Sequence, residues 1–294
     1  MKIVIALGGN ALILPGQKGT AEEQMKNVQK TCRQLRSIEE EHEIVVTHGN
    51  GPQVGNLLIQ QKEANGKVAK MPLDVCGAMT QGQLGYWIQQ EMRNEGLHAA
   101  TIVTQVLVDA KDPAFKNPTK PVGPFYKEKQ PGMVMDAGRG YRKVVPSPIP
   151  VEIVEIDAIK AMVGKGLVVI ASGGGGIPVV KKGGKLVGVE AVIDKDRAAQ
   201  VLANEIFADV LMIPTAVDCV KLNYGKKDEK ELWEMSVEEA GKYLAAGEFA
   251  EGSMKPKIEA CVAFVKKGGK KAVICSIENI EKALDGRSGT TIHA

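Results

Sequence analysis

The chain has 294 residues, 44% of them hydrophobic and 25% charged, with a formal net charge of +3. That length suggests about two domains with a sizeable core, and so small a charge, without a basic run, disfavours a nucleic-acid partner. The five cysteines (Cys32, Cys76, Cys219, Cys261 and Cys275) form no CxxC pair, which argues against a disulfide framework or zinc ribbon and for a reducing compartment. There is no signal-peptide pattern and no apolar stretch near the ~20 residues of a membrane span, so a cytoplasmic protein is expected.

In chain order, short β-branched runs recur at 2–7 (KIVIAL), 43–48 (EIVVTH), 100–108 (ATIVTQVLV), 167–172 (LVVIAS), 209–213 (DVLMI) and 271–276 (KAVICS). Near-continuous apolar strands of this kind suit a parallel sheet covered on both faces. After the first, residues 20–41 open with the capping box Thr20-x-x-Glu23 and repeat Met25, Val28, Cys32, Leu35 and Ile38 at helical spacing. Residues 109–150 break the rhythm. They hold eight of the 14 prolines, together with Phe115, Phe125, Tyr126 and Tyr141. A disordered linker would be poorer in aromatics, so this reads as an ordered projecting lobe, about 109–146, with a flexible middle near Gln130-Pro131-Gly132. Residues 179–190 (VVKKGGKLVGVE) predict a hairpin around Gly183-Gly184. A helix over 194–206 starts at an Asp cap, with Ala198, Val201, Leu202 and Ile206 on one face; 257–267 behaves similarly. Strands alternating with helices predict an α/β sandwich.

In such sheets ligands sit beyond the carboxyl ends of the strands. The first strand ends in Gly8-Gly9-Asn10, the second in Gly49-Asn50-Gly51 followed by Pro52, and the fourth in Ser172 and Gly173 to Gly176. Another glycine turn, Gly252-Ser253-Met254, precedes the helix containing Lys257. A helix entered from a glycine turn offers free N–H groups and a dipole to an anion. One such turn could be mere punctuation; several at strand ends point to an anionic ligand. A P-loop signature is absent, and GGGGIP (173–178) fails the dinucleotide fingerprint.

The motifs ALGGNAL (6–12), THGNGPQVG (47–55), NPTKPVGPFY (117–126), ASGGGGIPV (171–179), VEAVIDKD (189–196) and GSMKPK (252–257) run in order through most of the chain. Together they closely resemble the carbamate kinases of the amino acid kinase family. The resemblance implies reversible phosphoryl transfer between ATP and carbamate, in arginine and carbamoyl phosphate metabolism. It implies an open three-layer α/β/α sandwich with a mainly parallel central sheet, and a homodimer. Residues 1–190, lobe included, would bind carbamate, and residues 191–294 nucleotide. Two features depart from the resemblance: relatives commonly read Thr-Asp-Val where this chain reads Thr215-Ala216-Val217-Asp218, and the lobe between Tyr126 and Arg139 is short. Rival readings are another kinase of the family, acting on a carboxylate or phosphate ester, and a noncatalytic nucleotide-binding regulator.

The first glycine turn has no lysine or arginine beside it. Lys2 stands six residues before Gly8, about 20 Å away at the wrong end of the strand. The charge must come from Lys120, between two prolines that stiffen its backbone, from Lys195, between Asp194 and Asp196, or from Lys257. Lysines are usually solvated, but cations at helix starts oppose the dipole unless an anion is near. Lys120, marked mainly by the resemblance, is expected to reach from the lobe to Gly8-Gly9. Lys120 and Lys195 are assigned to the transferring phosphoryl group, Lys257 to the ATP phosphates, and Asp196 to orienting the lysines. Gly8, Gly9, Asn10, Gly49, Asn50, Gly51, Ser172, Gly173 and Gly174 would bind substrate. Nucleotide would be held by Lys195, Thr215, Val217, Asp218, Tyr224, Met254 and Lys257. Mg²⁺ is expected mainly on the ATP phosphates, so no dense carboxylate cluster is needed. Carbamate is already an anion and requires no general base, which makes His48 a structural residue; Cys76 reads as helix packing.

Overall fold

A computed structural model describes residues 1–14, 16–135 and 140–294. The first half runs β1 (Lys2–Leu7), α1 (Ala21–Glu39), β2 (Glu43–His48), α2 (Gly51–Ala64), α3 (Leu73–Asn94), β3 (Ala99–Thr101) and β4 (Gln105–Val108). The lobe follows as β5 (Lys120–Tyr126), β6 (Met133–Met135) and β7 (Tyr141–Val145). Next come β8 (Pro150–Ile153), α4 (Ile156–Met162), β9 (Val168–Ile170), β10 (Ile177–Lys182), β11 (Lys185–Gly188) and α5 (Lys195–Glu205). The chain closes with β12 (Val210–Thr215), β13 (Val220–Leu222), β14 (Lys230–Leu232), β15 (Glu234–Ser236), α6 (Val237–Ala245), α7 (Met254–Lys266), β16 (Lys271–Ser276), α8 (Ile280–Leu284) and β17 (Thr290–His293).

The central sheet has eight strands in the order β15-β17-β16-β12-β1-β2-β9-β3. All its pairings are parallel except β16 with β17. Successive side chains of a strand point to opposite faces, so β1 feeds two cores. Ile3, Ile5 and Leu7 pack with Val28, Cys32 and Leu35 of α1 and with Leu84, Ile88 and Met92 of α3. Val4 and Ala6 pack with Ala198 and Leu202 of α5 and Ile258 and Phe264 of α7. This is the expected α/β/α sandwich. Each buried aliphatic side chain contributes roughly 1.5–3 kcal/mol. No helix among the described residues is long and apolar enough to cross a membrane.

Local signals behave as their chemistry requires. Thr20 and Glu23 form the capping box of α1. Gly183 and Gly184, at φ 57° and 75°, make the β10–β11 turn, a conformation that side chains with a Cβ resist. All five cysteines are free and buried.

Two boundaries differ from the sequence reading. The run 100–108 is two strands, because Gln81 captures both backbone groups of Thr104 and turns the chain out of the central sheet. β4 then joins a second sheet, β11-β10-β4-β8. The helix read from 257 begins at Met254, so Lys257 lies at the end of its first turn. The lobe is a three-stranded sheet, β5-β7-β6, seated on α2: a Cβ on Gly55 would come within 2.9 Å of Gly123 Cα. Gln130-Pro131-Gly132 leads into β6, and the part of the shortened lobe at 136–139 lies outside the described residues.

Candidate active site

The carboxyl ends of β1, β2 and β9 lie side by side, and α5 starts beneath them. Asp194 is the N-cap of α5; its carboxylate accepts from the N–H groups of Asp196 and Arg197. The other oxygen of Asp194 accepts from Lys120 Nζ at 2.7 Å, which ties the lobe to the helix start. Asp196 receives Lys195 Nζ on Oδ1 and Lys257 Nζ on Oδ2, the latter at 2.8 Å. Lys195 Nζ also donates to the Ala6 carbonyl at 3.2 Å. Three lysines and two aspartates thus meet at one helix N-terminus, where the dipole alone would repel the cations.

The cation at the end of β1 is therefore Lys195. Lys120, expected there, is instead held on Asp194. Lys195 also lies alongside the second glycine turn, its Cδ 3.4 Å from where a Gly49 Cβ would stand. The capping carboxylate of Asp194 is a natural anchor for a lobe lysine, and the sequence reading gave it no role beyond the cap. The D-K-D spacing was the available signal, since adjacent residues at a helix start can face different partners.

Burial alone would raise the Asp196 carboxyl, but the Lys195 and Lys257 charges outweigh it and hold it below the usual carboxylate range. Burial draws the Lys195 ammonium below the usual lysine range; Asp196 opposes this and Lys257 adds to it. For Lys257, burial acts the same way, but the charge and hydrogen bond of Asp196 leave it raised. One carboxylate shared by two ammonium groups leaves the centre net positive and ready for an anion.

The glycine run after β9 serves close packing as well as turning. A Cβ on Gly173 would meet His48 Nε2 at 2.5 Å, and one on Gly174 would meet Asn50 Nδ2 at 2.2 Å. Gly174 is at φ 69°. Gly175 and Gly176 spend their N–H groups within the turn, on Ser172 and Gly173 carbonyls. Ser172 is a non-glycine residue at φ 52°, a conformation that costs on the order of 1–3 kcal/mol and persists only where its surroundings hold it. They do: its N–H donates to Thr104 Oγ1 and its carbonyl accepts from Thr47 Oγ1, while its hydroxyl is buried without a partner. Gly8, Gly9 and Asn10 form a tight turn over Gly9–Ala11, and Asn50 Nδ2 donates to Thr80 Oγ1. Burial holds the His48 ring down at about 4, hence neutral, and its Nδ1 hydrogen bond goes to the Gly49 carbonyl. Cys76 is buried in α3 beside Val54 and Val122.

Of the residues assigned to nucleotide, Thr215, Val217 and Asp218 sit at the neighbouring strand end. Thr215 closes β12 beside Ser276 of β16. Asp218 is exposed; hydrogen bonds from the Ser276 hydroxyl and the Asn279 amide hold its carboxyl below the usual range. Val217 is half-buried, and Tyr224 stands exposed after the left-handed Asn223. Met254 packs half-buried on the core shared by α5 and α7. No group of three or more His, Cys, Asp or Glu among the described residues forms a metal cage. A cavity of about 400 Å³ lies elsewhere, between α3 and β3, lined by Tyr86, Gln90, Arg93 and His98. It carries none of this charged chemistry.

Residues 1–276 match the amino acid kinase family. A carbamate kinase of Thermococcus kodakarensis is 51% identical over 99% of this chain and 98% of its own length. One from Halobacterium salinarum is 52% identical over 98% of this chain and 97% of its own length. Among solved structures, a Giardia lamblia carbamate kinase bound to AMP-PNP is 44% identical and superposes with a TM-score of 0.93, covering 99% of this chain and 98% of that one. The chain belongs to the amino acid kinase family, in its carbamate kinase branch.

Proposed function

We infer that the protein transfers a phosphoryl group reversibly between ATP and carbamate, giving ADP and carbamoyl phosphate. The observation that carries the chemistry is the net-positive cluster of Lys195, Lys257 and Asp196, set between the first two glycine turns and α5. A carboxylate oxygen of carbamate attacks the terminal phosphorus as the bond to the ADP oxygen breaks. No proton has to leave the nucleophile, in keeping with a neutral, packed His48. Catalysis here consists of holding two anions in line and stabilising the charge that spreads over the transferring group.

We place carbamate on the 1–190 part, at the Gly8-Gly9-Asn10 and Gly49-Asn50-Gly51 turns and at Ser172, Gly173 and Gly174. Nucleotide goes to the 191–294 part, near Thr215, Val217, Asp218, Tyr224 and Met254, with its phosphates toward Lys257. Lys195 and Lys120 meet the transferring group, and Asp196 positions both buried lysines. Because the site aspartates already hold lysines, Mg²⁺ enters as the metal complex of the nucleotide, keeping waters and phosphate oxygens as ligands.

A cytoplasmic setting suits five free cysteines. A homodimer suits the outer face of α3 and the adjoining loop, where Met79, Tyr86 and Val103 are exposed. A role in arginine and carbamoyl phosphate metabolism would follow from the reaction. The deciding experiment is a coupled assay of ATP formation from ADP and carbamoyl phosphate, with and without Mg²⁺. Metal-dependent ATP is expected; no ATP with Mg²⁺ present would overturn the reading, and full activity in excess chelator would remove the metal.

A further inference from the structure

An anion site is built from donors, such as the lysines and backbone N–H groups assigned above. Gln53 adds an acceptor beside them in the chain. It occupies the first turn of α2, directly after the second glycine turn, and is 3% exposed. Its Oε1 is buried and has no hydrogen-bond partner.

The orientation of that amide is fixed by its neighbours. The Gly19 carbonyl can only accept, and it receives Gln24 Nε2 at 2.7 Å. Gln24 Oε1 is therefore the acceptor left for Gln53, whose Nε2 donates to it at 2.7 Å. Both Gln53 rotamer ends are thus assigned by a chain of hydrogen bonds, and the free end is an oxygen. An orphaned buried acceptor is costly and calls for a ligand that brings a donor.

The position of Gln53 says which ligand. The first helical bond of α2 runs from Val54 N–H to the Asn50 carbonyl. The N–H groups of Gly51 and Gln53 precede it and, like all first-turn donors, face outward from the helix end; Pro52 has none. The Gln53 side chain springs from that same turn, and one of the free N–H groups is its own. Phosphate oxygens and carboxylates bring no donor at neutral pH. Carbamate does, through its NH₂ group.

We propose that Gln53 is a specificity-determining residue: its side-chain oxygen accepts a hydrogen bond from the carbamate amino group, separating carbamate from carboxylates of similar size that lack an N–H. This rests on the carbamate reading above. Ser172, whose hydroxyl is also unpartnered, is less selective, because a hydroxyl can either donate or accept.

The test compares kcat/KM for ATP formation from ADP with carbamoyl phosphate and with acetyl phosphate, which carries CH₃ in place of NH₂. The wild-type protein should prefer carbamoyl phosphate. Gln53→Met keeps the length and removes the oxygen; the preference should fall about tenfold or more, mostly through KM for carbamoyl phosphate, since a site built for an N–H loses only the ligand that carries it. Gln24→Met leaves Gln53 in place but unlocks its amide, and should erode the preference less. A parallel fall for both donors, or an unchanged preference, would overturn the proposal and leave the oxygen to a buried water. Should Gln53→Met fail to fold by melting temperature, Gln24→Met decides alone, an intact preference counting against the proposal. Absence of ATP from either donor in the wild type would instead defeat the carbamate reading itself.

Discussion

The two aspartates that bracket Lys195 do opposite work. Asp196 is buried between two lysines whose side chains are each 14% exposed, so the three charges exist only as a set. Asp194, two residues earlier, faces Lys120, whose side chain is 33% exposed and arrives from a separate sheet. One pair of contacts belongs to the core, and the other joins the helix start to the lobe. A buried set resists change in both fold and charge, whereas a pair whose lysine is one-third exposed is partly screened by solvent.

That contrast can be broken at four points. Lys195→Ala removes the cation that touches the end of β1, and kcat should fall by more than about 10³, beyond the loss typical of one charge-stabilising group. Steady-state assay of ATP formation checks this, and a fall under tenfold would return the role to the lobe. Lys120→Ala should lower kcat by about 10²–10³ while melting temperature moves little, because solvent screens the lysine and Asp194 keeps its capping hydrogen bonds. A large drop in melting temperature would instead make the lobe contact structural.

Asp196→Asn sharpens the difference by affecting both properties. With its charge gone, Lys195 and Lys257 repel each other in a buried space, and stability should fall on the order of 3 kcal/mol, with kcat lowered about 10²-fold. The Asp196 carboxyl titrates lower when folded than when unfolded. The stability it lends is whole above the unfolded value of about 3.9 and is lost as pH falls toward the folded value. Melting curves from pH 6 to pH 3 should therefore slope more steeply for wild type than for the Asn variant; equal slopes would show that Asp196 is not the titrating group. Lys2→Ala is the smallest change. Lys2 Nζ donates to the Ile206 carbonyl at the far end of β1, so kcat should stay within about twofold. A larger loss would mean that the amino end of the strand communicates with the site.

Much of the fold was legible because its causes are local. Apolar runs gave the strand positions, Thr20 and Glu23 gave a helix start, and Gly183-Gly184 gave a hairpin. The single reading of 100–108 failed because its interruption comes from Gln81, a side chain more than twenty residues away in sequence. The start of α7 was misplaced because Gly252-Ser253-Met254 reads as a turn, although Met254 is already helical. Within the site, Lys195, Asp196 and Lys257 were named from motif and helix position, and they do converge. Asp194 was seen only as a cap, since a capping carboxylate has a second oxygen whose partner no local pattern announces.

By itself the sequence determined what each segment is inclined to be and which charges are at hand. Periodicity, turn chemistry and caps act over a few residues, and the motifs carry the family resemblance. Only the tertiary structure decided which cation meets which anion. Lys120 and Lys195 are equally plausible partners for Gly8-Gly9 in one dimension. The parallel pairing of β1 with β2, and the seating of α5 below them, bring Lys195 Nζ to Ala6 and leave Lys120 to Asp194. The physical reason is that a long lysine side chain reaches only a few ångströms, so its partner is set by where packed strands and helices place its backbone.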